Sequence, residues 1–194
     1  MVFGSGPQAW GHVLALREVR PVEEVTVVGR DRSRAEALAG RCREIGLTAR
    51  ALTTDLAAAA ADSGTGAVAE AVAGADLIAC CTTAREPLFP GKLARDGVTV
   101  VAVGSHEPGA RELDGDLVAR ATVVVEARAA ALEEAGDVII PIRHGTIATG
   151  HLAGNLAELI AGGVVTGPGP RVFKSTGMAW EDLVVAAAAY EAWT

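Results

Sequence analysis

Three groups of residues in this chain have types and spacings that could hold a phosphorylated ligand and move a proton. The first is Gly4-Ser5-Gly6-Pro7-Gln8-Ala9, a G-x-G-x-x-A turn after the apolar pair Val2-Phe3. Gly4 would let the chain reverse tightly, Gly6 would remove a Cβ where backbone must approach a pyrophosphate, and small Ala9 would permit close helix-strand packing. A helix opening there turns its free N–H groups and positive dipole end toward the phosphates. The second group is Gly29 with Arg30-Asp31-Arg32. Dinucleotide-binding folds commonly carry an acidic residue at the end of the second strand to accept from a ribose 2'-hydroxyl. A glycine there leaves room for a 2'-phosphate, which a guanidinium can bind bidentately. The expected cofactor is therefore NADP(H) in preference to NAD(H). In the alternative, Asp31 takes the ribose, Arg30 and Arg32 are solvated, and NAD(H) binds. The third group is Gly104-Ser105-His106, where an imidazole with a reference pKa of about 6.5 could relay a proton.

These residues need elements to place them. Trp10 to Val19 has apolar residues at helical spacing, Pro21 stops that helix, and Val25 to Val28 reads as a buried parallel strand. Strand, glycine turn, helix and strand thus follow one another as a dinucleotide-binding unit requires. Beyond it, the sequence predicts a helix over Ser33 to Glu44 opened by a serine cap and a short strand over Thr48 to Leu52. Asp55 to Ala73 reads as two short helices around a surface turn at Asp62 to Gly66. Strands follow at Ala75 to Cys81, Val98 to Val103 and Thr122 to Glu126, then helices at Ala129 to Glu134 and Trp180 to Trp193. The β-α-β rhythm, without internal repeats, predicts an α/β fold with a doubly wound parallel sheet, Rossmann-like. Ligands bind such sheets beyond the carboxyl ends of the strands, which adds Thr82 and Thr83 to the candidate cofactor contacts. Their hydroxyls could face the cofactor or cap the strand end.

Composition narrows the class. The 194 residues are half apolar, but alanine and valine dominate and no run reaches transmembrane length. A net charge of -7 argues against a nucleic-acid footprint and against a polybasic membrane patch. Cys42, Cys80 and Cys81 lack metal or disulfide spacing, and no signal-peptide pattern precedes the fold, so a reducing cytoplasm is the expected compartment. His12, His144 and His151 also lack ligand spacing and read as structural.

The turn GSGPQA, the stretch CCTTAREPLF, the loop VAVGSHEPGARELD, the run VVVEARAAALEEAGD and the segment VFKSTGMAWEDL, in this order over nearly the whole chain, resemble the ornithine cyclodeaminase/mu-crystallin family. Its members are NAD(P)-dependent enzymes of amino acids and cyclic imines, among them ornithine and lysine cyclodeaminases, alanine dehydrogenase, and ketimine and pyrroline-2-carboxylate reductases. Some bind ligands without evident catalysis. The resemblance implies that Gly4, Ser5, Gly6, Pro7, Gln8 and Ala9 hold the pyrophosphate and that Thr82 and Thr83 lie along the cofactor. It also implies that Val103, Gly104 and Ser105 flank the nicotinamide and that Ser175 and Gly177 close over it. By its residues alone, Lys174-Ser175-Thr176-Gly177 before a helix is also an ordinary capping sequence.

Two departures from the family pattern shape the expected function. His106 stands where ornithine cyclodeaminases place an aspartate, and an imidazole cannot supply that fixed negative charge. Imine reduction or amino-acid dehydrogenation gains on ornithine cyclisation, with His106 as the expected catalytic proton donor. The family also places a substrate domain before the first cofactor strand, whereas here only Met1, Val2 and Phe3 precede the turn. The chain is accordingly expected to be a fragment, or the product of a lineage that has lost that half. Residues 1–171 would form the dinucleotide-binding domain and 172–194 a closing segment whose helix packs toward the absent domain. The expected function is thus the NADP(H)-dependent oxidoreductase part of an enzyme acting on cyclic imines or α-amino acids, a homodimer at full length. The alternatives are an ornithine cyclodeaminase using catalytic NAD, or a non-catalytic NAD(P)H-binding module.

Overall fold

The computed structural model describes residues 1–53 and 66–193. Its chain alternates strands and helices: β1 (Val2–Phe3), α1 (Pro7–Val19), β2 (Glu24–Gly29), α2 (Arg32–Glu44), β3 (Thr48–Thr53), α3 (Ala67–Ala73), β4 (Leu77–Cys80) and β5 (Thr99–Ala102). There follow α4 (Gly115–Arg120), β6 (Thr122–Val125), α5 (Arg128–Glu134), α6 (Gly136–Arg143), β7 (Leu152–Asn155), α7 (Leu156–Ile160), β8 (Arg171–Lys174) and α8 (Ala179–Trp193). The strands form one eight-stranded sheet in the order β3-β2-β1-β4-β5-β8-β6-β7, and its pairings are parallel. The expected α/β, doubly wound Rossmann-like sheet is what the chain forms.

Period-two alternation explains why both faces of the sheet are covered. Val2, Val25, Val27 and Ala79 point to one face, against Ala9 and Val13 of α1 and Ala35, Leu38, Ala39 and Cys42 of α2. Phe3, Val28, Ile78 and Cys80 point to the other, where the Phe3 ring stacks on Phe89 with centroids 5.4 Å apart. β1 is only two residues long, yet β2 and β4 flank it and both its side chains are buried.

Several expectations need correcting. The cap of α2 is Asp31, whose carboxylate accepts from the Arg34 N–H at 3.0 Å, and Ser33 lies inside the first turn. A carboxylate two residues earlier wins because its negative charge also meets the positive end of the helix dipole. The strands expected at Ala75 to Cys81, Val98 to Val103 and Thr122 to Glu126 are each trimmed at their ends. Of the two short helices expected over Asp55 to Ala73, the second is α3, and the first lies outside the described residues. The strands β7 and β8 were not foreseen. The short stretch Arg171–Lys174, after a glycine- and proline-rich run, looks like loop in sequence, but it pairs with both β5 and β6. The sheet therefore runs on through β8 to Lys174. After it, no side chain of α8 is fully buried, and Trp180, Leu183, Val184, Val185, Tyr190 and Trp193 are exposed. Among the described residues no helix is long and apolar enough to cross a membrane.

Candidate dinucleotide site

The turn after β1 is held by its backbone. Gly4 has φ +105°, its N–H donates to the Val28 carbonyl at 2.8 Å, and a Cβ on it would lie 2.3 Å from the Cys81 carbonyl oxygen. Only glycine satisfies both the positive φ and the missing volume. Gly6 caps α1 with no side-chain bond, and a Cβ there would meet nothing within 4 Å. Pro7, at the first helical position, has no N–H to satisfy, while the next amides have no intrahelical acceptor. The result is an open cradle of N–H groups at the positive end of a 13-residue helix. Ala9 is fully buried beneath it, and Ser5 reaches toward Gly29, whose absent Cβ would lie 3.6 Å from the Ser5 hydroxyl. Pro7 and Gln8 are exposed on the rim.

At the end of β2, Arg30 and Arg32 are exposed and form no ion pair with another described residue. Asp31 between them spends one oxygen on the cap of α2.

The ends of β4 and β5 are joined by a residue that the sequence reading passed over. Glu112, fully buried, accepts from the Thr82 N–H at 2.8 Å and the Thr82 hydroxyl at 2.7 Å on one oxygen, and from the Gly104 N–H at 2.8 Å on the other. Thr82 therefore turns its hydroxyl inward, where it also receives the Ala84 N–H, while Thr83 is exposed. Burial pushes the Glu112 carboxyl above its ordinary range, opposed by those donors. Asp137 accepts from the Glu112 and Leu113 N–H groups at 2.7 and 2.8 Å on one oxygen. Its other oxygen lies 3.1 Å from the buried Lys174 ammonium, an ion contact without a well-directed hydrogen bond. Lys174 in turn donates to the Ser105 carbonyl. Ser105 is buried, with its hydroxyl on the Ala110 carbonyl at 2.6 Å, and Val103 is half-buried.

His106 follows, exposed at the tip of this loop. Beside it Arg85 pairs with Glu107 at 2.8 Å and holds that carboxyl below its ordinary range, with His106 adding slightly to the effect.

The segment after β8 is tied down by Glu126, at the end of β6. Glu126 accepts from the Ser175 hydroxyl at 3.0 Å and the Gly177 N–H at 2.8 Å, and Gly177 has φ +81°. Partial burial raises the Glu126 carboxyl, with nearby Glu181 adding to the rise and the Ser175 bond opposing it.

Because the strands are parallel, Gly4 to Ala9, Gly29 to Arg32, Thr82-Thr83, Val103 to His106 and Ser175 to Gly177 all lie at one edge of the sheet. What the sequence reading missed is the support beneath them: buried Glu112, Asp137 and Lys174, and half-buried Glu126. For Asp137 a signal was present, as an acidic residue directly ahead of the apolar run Val138-Ile139-Ile140. A pocket lined by Leu16, Glu23, Arg50, Asp76 and Arg95 opens at the opposite edge and contains none of the candidate residues. Among the described residues no cluster of His, Cys, Asp or Glu could hold a metal ion.

The model of the ornithine cyclodeaminase/mu-crystallin family matches residues 1–194. A Δ1-pyrroline-2-carboxylate reductase of Bacillus cereus is 36% identical over 195 residues, covering 98% of this chain and 56% of that protein. The ketimine reductase mu-crystallin of Rattus norvegicus is 36% identical over 199 residues, covering 100% and 55%. Among solved structures, the Thermococcus litoralis Δ1-pyrroline-2-carboxylate reductase in complex with NADH and L-proline superposes with a TM-score of 0.85 at 32% identity, covering 98% of this chain and 56% of that one. The chain thus spans about half the length of the relatives it matches.

Proposed function

Since this chain belongs to the ornithine cyclodeaminase/mu-crystallin family, we propose that it forms the NADP(H)-binding part of an oxidoreductase acting on cyclic imines or α-amino acids. The observation that carries the reading is the open amide cradle at Gly4 to Ala9, beside exposed Arg30 and Arg32 at the end of β2. The cradle fits a pyrophosphate because its amides and helix dipole favour negative charge and no Cβ blocks the approach. Gly29 keeps the ribose position free of a carboxylate, and the two arginines supply cations for a 2'-phosphate. The relative bound to NADH and L-proline supports a nicotinamide dinucleotide and a small imino- or amino-acid substrate.

Bound there, the dinucleotide would supply or take up the hydride. The protein's own work is to orient and to move a proton. Glu112, Lys174 and Glu126 hold the loops at the ends of β4, β5 and β8, and His106, exposed to solvent at the tip, delivers a proton to the substrate nitrogen. Its imidazole carries no fixed negative charge, which favours imine reduction over ornithine cyclisation.

Parallel fluorescence titrations with NADPH and NADH test the reading. Tighter NADPH binding, weakened on Arg30→Ala while NADH is unaffected, is expected. Tighter NADH binding would move the ribose contact to Asp31, and binding of neither would overturn the cofactor assignment.

A further inference from the structure

We propose that Glu112 is a positioning residue for the nicotinamide half of the crevice, an inference that rests on the dinucleotide reading above. Strand order sets the direction. β2 and Arg30 lie on one side of β1, and β4 and β5 lie on the other. A dinucleotide with its pyrophosphate on Gly4 to Ala9 and its adenosine ribose at the end of β2 must send its other half over the ends of β4 and β5.

At those ends the backbone ladder stops with the bond from the Val103 N–H to the Cys80 carbonyl. The Glu112 carboxylate takes over from it, joining Thr82 of one strand end to Gly104 of the next through three donated hydrogen bonds. The gap it spans is so narrow that a Cβ on Gly104 would lie 2.1 Å from the Thr82 carbonyl oxygen and 2.6 Å from the Glu112 carboxylate. Asp137 fixes the Glu112 backbone, and Lys174 links Asp137 to the Ser105 carbonyl on the far side of Gly104. All three ionisable side chains are at most 1% exposed.

Burying three charges is a poor route to stability, since apolar side chains of similar volume fill such space at lower cost. What they provide is an acceptor arrangement. Three donors from two different loops converge on the two oxygens of Glu112, an arrangement that a carboxylate is suited to accept in full. That arrangement holds both loop ends in one register at the place where the ring must lie.

The test compares two ligands on this chain: whichever of NADPH and NADH binds the wild type tighter, and the matching adenosine diphosphoribose that lacks the nicotinamide. Glu112→Gln keeps the shape but turns an NH2 group toward backbone donors. It should weaken the whole dinucleotide about tenfold, as expected for loss of a hydrogen bond to a charged group, and leave the fragment within about twofold. Should that variant fail to fold by circular dichroism, Thr82→Val, which keeps the shape and removes one of the three donors to the Glu112 carboxylate, carries the same comparison. Equal weakening of both ligands, or of neither, would overturn the inference and leave the cofactor reading standing. Failure of the wild type to bind either ligand would overturn both.

Discussion

At Gly4 a positive φ and a missing Cβ are required together, so substitution there is punished twice. Gly4→Ala should cost about 2–3 kcal/mol in denaturant unfolding, because the alanine is strained in its backbone and collides with the Cys81 carbonyl. A loss below about 0.5 kcal/mol would mean the turn relaxes freely. Glu112 makes a prediction in pH. Burial raises its carboxyl in the folded chain, so the folded state holds that proton more tightly than the unfolded state does. The associated stability is complete below the unfolded value of about 4.3 and is lost as pH rises through the folded value. Wild type should therefore lose stability relative to Glu112→Gln as pH is raised through that window. Denaturant midpoints read the difference directly, and a gap that widened in favour of the wild type would contradict the assignment. The same residue shows why part of the site was hidden in sequence. Gly4, Gly6 and Ala9 are legible because their roles are local to one turn. Glu112 acts on Thr82, 30 positions earlier, and on Gly104, 8 positions earlier, and no spacing announces that pairing.

Elements divide in the same way. α1, α2, β2 and β3 could be read from apolar period, proline stops and caps, because each carries its own pattern. The choice of cap in α2 escaped, since Asp31 and Ser33 are both good caps and the trajectory of the chain leaving β2 decides between them. Asp31→Ala should destabilise the protein by about 1 kcal/mol. If Asp31 also took the ribose, that substitution would weaken NADH binding as well, which the titration would reveal. β8 and α8 are opposites in the fold although adjacent in sequence. β8 lies between β5 and β6, whereas no side chain of α8 is fully buried. Ending the chain after Gly177 should change unfolding stability by less than about 1 kcal/mol. Ending it at Gly169 should abolish cooperative unfolding, because it opens the middle of the sheet. A large loss from the first truncation would show that the helix is bound to the domain.

Across the whole molecule, one parallel sheet gathers turns separated by most of the chain, from Gly4 to Gly177, onto one edge. Binding there should stabilise the folded state by mass action. Dinucleotide at about 100 times its Kd should add about 2.7 kcal/mol, raising the thermal midpoint by roughly 5–10 °C for a chain of this size. An unchanged midpoint under saturating ligand would place binding outside the cooperative fold. The sequence by itself determined the layer architecture, the first β-α-β unit and the glycine turn that opens it. Those features follow from the period of apolar residues and the conformational freedom of particular glycines, both of which act within a few residues. Only the tertiary structure decided that β8 enters the middle of the sheet, that the Thr82 hydroxyl turns inward, and that Glu112, Asp137 and Lys174 meet beneath the loops. Those choices depend on which distant segments become neighbours, and a buried charge finds its partner only when the fold has closed around it.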